Sequence, residues 1–364
     1  MGDTTLLLEI DGEEVTVEGL VPLVEIFAEE AGDQADAATI TARVEPGDDG
    51  EWTSMLDPLT TPRTPVVVQI ARDGVTYRFE GRATEASWEL DASGSSQLTV
   101  KALDRTSEMD AEEKVVAWPG MSDSAIATAV FSSYGFRTEV EDTPAGPDPD
   151  VHVVLQRATD WSFIRSLAAK WGYAAYLEAD GDVVTGHFSA IDPLADPQGV
   201  LSLGFGGDAT RVSVQVGLTA AHKVASARIP PLSDTAQSGE SDGDEEPQGS
   251  TSLAGQASVL LSPDDVEGEV EPAAVASGLA RQSALAAVLT AELDADAGGL
   301  LLRARRTVLV RGLGSLLSGQ YLVQRVRHHV TTAGHTQEIT LVRNAFGLKG
   351  DEAFAGGGLL GDLL

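Results

Sequence analysis

Six histidines, no cysteine and a large excess of carboxylates set the chemistry open to this 364-residue chain. Without thiols, disulfides, thiolate nucleophiles and Cys-ligated zinc or iron–sulfur sites are excluded. His328, His329 and His335 lie close together along the chain. A metal ion needs several side chains converging on one point, whereas adjacent residues of a strand face opposite ways. His328 and His329 therefore cannot both turn to one ion, and Glu338 is the best available third ligand. A structural role is preferred for all three histidines, and no metal-binding residue is predicted.

Gly312-Leu313-Gly314 has the opening spacing of a dinucleotide-binding loop, but the next residues are strand-like and the third glycine is missing, so these read as turn glycines. No Gly-x-Ser-x-Gly elbow supports a nucleophile. Asp and Glu are so abundant that a glycosidase-like carboxylate pair does not stand out from a solvated acidic surface. No catalytic or cofactor-binding residue is predicted, and the chain reads as something other than an enzyme. Its basic residues concentrate at Arg303, Arg305, Arg306 and Arg311, followed by Arg325, Arg327 and Arg343. Two readings stand side by side here: pairing with carboxylates of the same chain, or an Arg-rich contact with an acidic neighbouring subunit. In a strand, Arg325 and Arg327 share one face.

The charge balance bounds the partners. With 24 Lys+Arg against 57 Asp+Glu the formal net charge is -33. Such a surface repels phosphate backbones, so no nucleic-acid partner is predicted. The bias toward Arg over Lys fits a high-salt interior or a high-GC genome equally well. No apolar run is long enough for a membrane-spanning helix and no secretory signal is apparent, so no stable membrane insertion is expected.

The elements that would position these residues are mostly strands. Leu6–Ile10 and Glu14–Val17 flank Asp11-Gly12, and Val66–Ala71 and Val75–Glu80 flank Asp73-Gly74, two hairpins with favoured turn dipeptides. Alternation at Ile40, Ala42 and Val44, and further strands at Ala83–Leu90 and Gln97–Leu103, make residues 1–110 resemble a small barrel. Leu20–Ala31 is read as a short helix. Residues 111–172 form a helical connecting region, with one helix capped by Ser122 and ended by Gly135. A second carries Ile164, Leu167, Ala168 and Trp171 on one face and is ended by Gly172. Residues 173–345 form a second sheet domain. It is interrupted by Ser233–Ser252, an acidic segment too polar to offset its ordering entropy and therefore predicted to be disordered, and by a helix over 272–296. Residues 346–364 are a Gly/Leu-rich tail. The class is α+β, mainly β.

Three phrases resemble the phage late control gene D family, the tail hubs related to the N-terminal part of VgrG spike proteins. Phe79–Thr84 continuing to Leu98-Thr99-Val100-Lys101-Ala102-Leu103-Asp104-Arg105 is similar to a strand pair ending in "L-x-V-x-x-x-D-R". Ser122–Ile126, Gln156, Asp160-Trp161-Ser162-Phe163-Ile164 and Leu167-Ala168 resemble "Q-x-x-x-D-W-x-F-I-x-x-L-A". Ser318-Gly319-Gln320-Tyr321-Leu322-Val323, Val326-Arg327-His328-His329 and Arg343-Asn344 resemble "G-x-Y-x-V-x-x-V-x-H" and a closing Arg-Asn. The order of the three is the family's order.

The resemblance implies two tandem β-barrels per subunit and a homotrimeric ring, a structural baseplate hub that adapts a hexameric inner tube to a trimeric spike. The implied partners are an inner tube protein, baseplate wedge proteins and a spike protein on a separate chain. Assembly would occur in the cytoplasm, into a phage tail baseplate or a contractile injection particle. The alternatives are a tail-associated cell-wall hydrolase and a stand-alone acidic binding module.

Overall fold

In a computed structural model the chain is described over residues 4–16, 18–32, 34–47, 50–91, 96–203, 209–216, 224–228, 240–241, 246–253, 257–260, 284–296 and 300–350, with positions 275, 277, 278, 352 and 354 besides. It is mainly β with few helices, as the sequence suggests. The N-terminal strands are β1 (Thr5–Ile10), β2 (Leu23–Ala31), β3 (Ala37–Arg43), β4 (Pro65–Arg72), β5 (Val75–Glu89) and β6 (Gln97–Asp104). Both predicted hairpin turns form: Asp11 and Gly12 have φ of 53° and 82°, Asp73 and Gly74 of 49° and 83°, the left-handed pair that a type I′ turn requires.

The connecting region contains β7 (Glu113–Trp118), helix α1 (Asp123–Ser133), β8 (Arg137–Val140), β9 (Val154–Thr159) and helix α2 (Asp160–Trp171). Ser122 caps α1 by accepting from the Ala125 amide at 3.2 Å, and Thr159 caps α2 through Ser162 at 3.2 Å. Gly172 ends α2 at φ 69°, and a Cβ there would lie 2.4 Å from the Cα of Gly278, so the site demands glycine twice over. Next come β10 (Ala174–Asp180), β11 (Val183–Ser189), β12 (Val200–Ser202), β13 (Ala209–Val216), β14 (Ala287–Asp294), β15 (Thr307–Arg311), β16 (Gly319–Thr331) and β17 (Gly334–Arg343).

The two tandem barrels implied by the resemblance do not appear as closed units among the described residues. Instead one sheet runs β13-β14-β17-β16-β2-β3-β6-β5-β4-β1, with β15 joined to β16 and β12 to β15. The seam is the antiparallel pairing of β16 with β2, where Arg327 faces Glu29, His328 faces Ala28 and Val330 faces Ile26. This one sheet bounds two separate cores. The first gathers Leu8, Ile26, Ile40, Val68, Phe79 and Val100, the second Leu201, Leu289, Val308, Tyr321, Val323 and Leu341. Each such side chain contributes about 1.5–3 kcal/mol on burial. A third core, from Met109 to Phe188, packs α1 and α2 against β10 and β11. The expected boundary at residue 172 thus falls inside a core.

Three local expectations are corrected. The helix read over Leu20–Ala31 is strand β2 from Leu23 onward: from Ile26 the buried positions Ile26, Ala28 and Glu30 alternate, a period of two that competing apolar residues at Leu23 and Phe27 obscured. The C-terminal part of the helix read over 272–296 is strand β14. There Ala287, Leu289, Ala291 and Leu293 are buried in alternation, although alanine and leucine favour helix; sheet pairing on both sides overrides propensity. Val275, Ser277, Gly278 and Ala284 are helical, while the rest of 272–283 lies outside the described residues.

The segment Ser233–Ser252, read as disordered, is ordered wherever it is described. Glu240–Ser241 pairs with Val224–Arg228, and Thr251–Ser252 pairs with Ala345–Phe346. Gln248 is fully buried: its amide donates to Asn344 Oδ1 at 2.8 Å and its side chain to the Pro193 carbonyl at 3.0 Å. An average over composition misses one buried anchor of this kind. Residues 233–239 and 242–245 lie outside the described residues, as do most of the tail residues beyond 350.

Candidate functional site

The densest gathering of ionisable groups lies where the two halves of the sheet and the helical unit meet. Glu30, on β2, points into the junction, and Asp36 sits in the turn to β3. From the other half come Arg303 and Arg305, just before β15. Arg303 donates to Glu30 through Nε at 3.1 Å and Nη2 at 2.8 Å, to the Thr76 carbonyl at 2.8 Å and to Glu178 of β10 at 2.7 Å. Arg305 donates to Asp36 at 2.7 Å and to the carbonyls of Ala31 and Gly32. The Ala304 amide adds a bond to Glu30 at 2.7 Å. Arg303 lies 5.5 Å over the Tyr77 ring and Arg305 4.1 Å over Tyr176. Glu30, Asp36, Arg303 and Arg305 are all buried.

Buried carboxylates here outnumber what two guanidiniums can neutralise, since Asp104 also lies within the cluster. Burial pushes the Asp36 carboxyl up to about 7 against the pull of Arg305, and Glu30 and Asp104 push the same way. Burial works against the charge on Arg303 and Arg305, yet Glu30, Glu178 and Asp36 hold both above the ordinary arginine value. Burial also pushes the Tyr176 hydroxyl up to about 12. Glu178 is shared further, with Arg306 at 2.7 Å and His187 at 3.7 Å. The arrangement is a clamp: each arginine–carboxylate pair joins chain segments more than a hundred residues apart.

The histidines divide as strand geometry requires. His328 turns inward and meets His335 at 3.1 Å, stacked against Tyr77, while His329 turns outward, stacks on Phe27 at 4.2 Å and pairs with Glu25 at 3.0 Å. Burial drives His328 well below the usual histidine value and His335 down to about 4, so both are neutral near pH 7. Glu338, the third ligand considered, pairs with Arg327 at 3.6 Å. Among the described residues no three His, Asp or Glu side chains converge on a metal position. Gly312 and Gly314 have φ of 92° and 73°, as turn glycines do.

The contacts these arginines make lie within the chain, as the first reading has it. Arg303, Arg305 and Arg343 are buried and paired internally; Arg343 donates to the carbonyls of Ser318, Gln248 and Gly347 at 2.9–3.0 Å and lies over Tyr321. Arg325 and Arg327 stay more exposed beside a shallow groove of about 250 Å³ on the outer face of β14, β16 and β17, with Arg325 paired to Glu29 at 2.6 Å.

The polar residues of the three sequence phrases are consumed in the same way. Asp104 accepts from the Asp36 amide at 3.0 Å and the Thr106 amide at 2.9 Å. Gln156 donates to Asp160 at 2.7 Å, and Asp160 also binds Lys114 at 2.5 Å and Tyr134 at 2.7 Å. Burial alone would raise the Asp160 carboxyl, but these three bonds outweigh it and hold the group below the ordinary carboxylate value. Asp104, Gln156, Asp160, His328, Arg343 and Asn344 are all buried. They hold the frame together. Sequence reasoning found these residues but missed Glu30, Asp36 and Glu178. The one available signal was Glu30 in the otherwise apolar phase of β2.

Comparison with known proteins agrees with the fold. The chain is similar to a tail protein from Neisseria meningitidis MC58, with a TM-score of 0.63 at 13% identity, covering 94% of this chain and 97% of that one. It is similar to a 43 kDa tail protein of prophage MuSo2 from Shewanella oneidensis, with a TM-score of 0.64 at 12% identity over 93% and 98% of the two chains. The E. coli c3393 protein is described as a component of the type VI secretion system structurally similar to T4 bacteriophage tail proteins gp27 and gp5. It gives a TM-score of 0.59 at 11% identity over 96% and 80%. At these identities the likeness shows a shared fold. No curated protein sequence matches the chain. The family model that matches is not that of the late control gene D family; it is described as the Alg8 N-terminal domain and spans residues 72–332. With more than half of its length matched, the chain belongs to the Alg8 N-terminal domain family.

Proposed function

We propose that the chain is a structural baseplate hub that assembles as a homotrimeric ring and adapts a hexameric inner tube to a trimeric spike, in a contractile tail or injection system. The observation that carries this reading is likeness of fold to two tail proteins and a secretion-system component along nearly the whole of this chain, and along nearly the whole of both tail proteins. Two features support it. The polar residues most suggestive of a site are buried in framework bonds. The two-stranded sheet of β7 and β9 exposes Val115, Leu155 and nearby Val151, and among the described residues each strand pairs only with the other. Apolar side chains beside free strand edges suit contact with a neighbouring subunit. The division into units over 1–110, 111–172 and 173–345 belongs to the same proposal, with the middle unit extended to take in β10 and β11. No helix among the described residues is long and apolar enough to cross a membrane.

The test is imaging of purified particles with the subunit labelled, together with its mass in solution. Density at the spike–tube junction with threefold symmetry is expected; its absence there overturns the assignment. The family description does not name a tail role, which makes a wall-degradation assay the natural companion. Activity that survives purification and is abolished by a substitution in this chain would replace the structural reading with that of a hydrolase.

A further inference from the structure

Among the described residues four non-glycine residues have clearly positive φ: Asp11, Arg63, Asp73 and Arg305. Three are explained. Asp11 and Asp73 open hairpin turns, and Arg305 is fixed by the buried cluster. Arg63, at φ 68°, is different. Its amide is tied to the Ala83 carbonyl at 2.9 Å, which pins the loop to β5, but among the described residues no hydrogen bond or ion pair engages its exposed guanidinium. Glycine would take this backbone without strain, so an arginine at the position points to a use for its side chain.

That side chain lines a pocket of about 460 Å³ together with Pro62, Arg82, Ala83, Thr84, Ser107 and Glu108. Glu108 is already held from two sides, by Arg82 at 2.9 Å and by Arg105 at 3.0 Å. Two guanidiniums therefore hold one carboxylate and a third, that of Arg63, lines the same pocket, on a chain whose net charge is -33. The Thr84 and Ser107 hydroxyls are bonded to the carbonyls of Lys101 and Asp104, which leaves Arg63 as the unpaired donor. Beside the cations, Pro62 and the half-exposed Leu103, which sits opposite Arg82 on β6, offer apolar shoulders.

We propose that this pocket is a binding site for a carboxylate-bearing, acidic peptide segment, with Arg63 as the recognising group and Arg82 and Arg105 as the fixed positive background. Arginine forks match a carboxylate bidentately, and the apolar shoulders favour a peptide over a small free anion. The global charge sharpens the selectivity: an acidic ligand is repelled elsewhere on the surface and is attracted only where the local sign reverses.

The test measures binding of a fluorescent hexaglutamate peptide to the full chain at low salt, with hexaglutamine as the uncharged control and inorganic phosphate as competitor. Wild type is expected to bind hexaglutamate and not hexaglutamine, with affinity falling as salt rises. Arg63→Gly is expected to weaken binding about tenfold or more, the worth of one charge-assisted bond. Because glycine suits this backbone, the variant keeps its fold, and an unchanged or raised melting temperature confirms that. A second variant, Arg63→Lys, is expected to recover part of the affinity. Absence of hexaglutamate binding, or equal binding by Arg63→Gly, overturns the proposal. Phosphate that displaces the peptide at equal or lower concentration also overturns it, in favour of a small-oxyanion site.

Discussion

Arginines gather at two places on this acidic chain, and the two differ in what they leave available. At the junction of the sheet halves, Arg303 and Arg305 are buried and every guanidinium nitrogen meets a carboxylate or a carbonyl of the same chain. At the pocket beside β5, Arg82 and Arg105 share Glu108 while Arg63 stays unpaired among the described residues. Arg305 and Arg63 even share a left-handed backbone, at φ 63° and 68°. The difference is burial. A guanidinium taken out of water must find partners within the fold or be expelled, whereas one left in water is free for a ligand. A basic cluster in a sequence is therefore a binding hypothesis only for its exposed members.

Substitutions can break this contrast. The largest effect is expected from Glu30→Ala, which leaves two buried guanidiniums without their shared carboxylate and should cost about 3–5 kcal/mol by denaturant unfolding. A loss comparable to that of a surface substitution would mean that the junction is not a clamp. Arg305→Gly comes second, at about 3 kcal/mol, because the lost ion pairs outweigh any relief of the left-handed backbone. Arg63→Gly should move the other way and raise stability by about 1 kcal/mol, since there only strain is removed. Two glycines at like φ with opposite signs would confirm that burial decides. Smallest is Arg325→Ala, whose half-exposed pair with Glu29 should be worth no more than about 0.5 kcal/mol.

The junction also predicts a pH dependence. A carboxyl raised from 3.8 to about 7 in the folded state binds a proton that the unfolded chain has already released. Its stabilising contribution is complete below 3.8 and is lost as pH rises to about 7. His335, lowered from 6.5 to about 4, acts in the opposite sense, and its contribution is lost as pH falls through that interval. Urea unfolding of Asp36→Asn across pH 4–7 separates the two. The variant lacks the descending component, so its stability relative to wild type should climb as pH rises; parallel profiles would refute the protonated Asp36.

Much of the framework was legible along the chain. Asp-Gly turns, the Ser122 cap and the i, i+3, i+4, i+7 face of α2 are local signals, because the groups that satisfy one another lie within a few residues. Errors came where local preference and tertiary pairing disagree. β14 is built from alanine and leucine, good helix formers, and became a strand because β13 and β17 supply its hydrogen bonds on both sides. Gln248 looked like one polar residue among many and proved to be a buried anchor, because its partner Asn344 lies 96 residues away.

By itself the sequence determined the mainly β class, the absence of thiol chemistry, the turns and caps, and the opposite facing of His328 and His329, since each stems from composition or from contacts within one element. Tertiary structure alone decided that β2 and β16 join two halves into one sheet, that Arg303 and Arg305 are spent on Glu30 and Asp36, and that Arg63 is not. These outcomes depend on pairing between residues up to some three hundred positions apart. A chain reveals such pairing only once the burial of its apolar faces has fixed which segments meet.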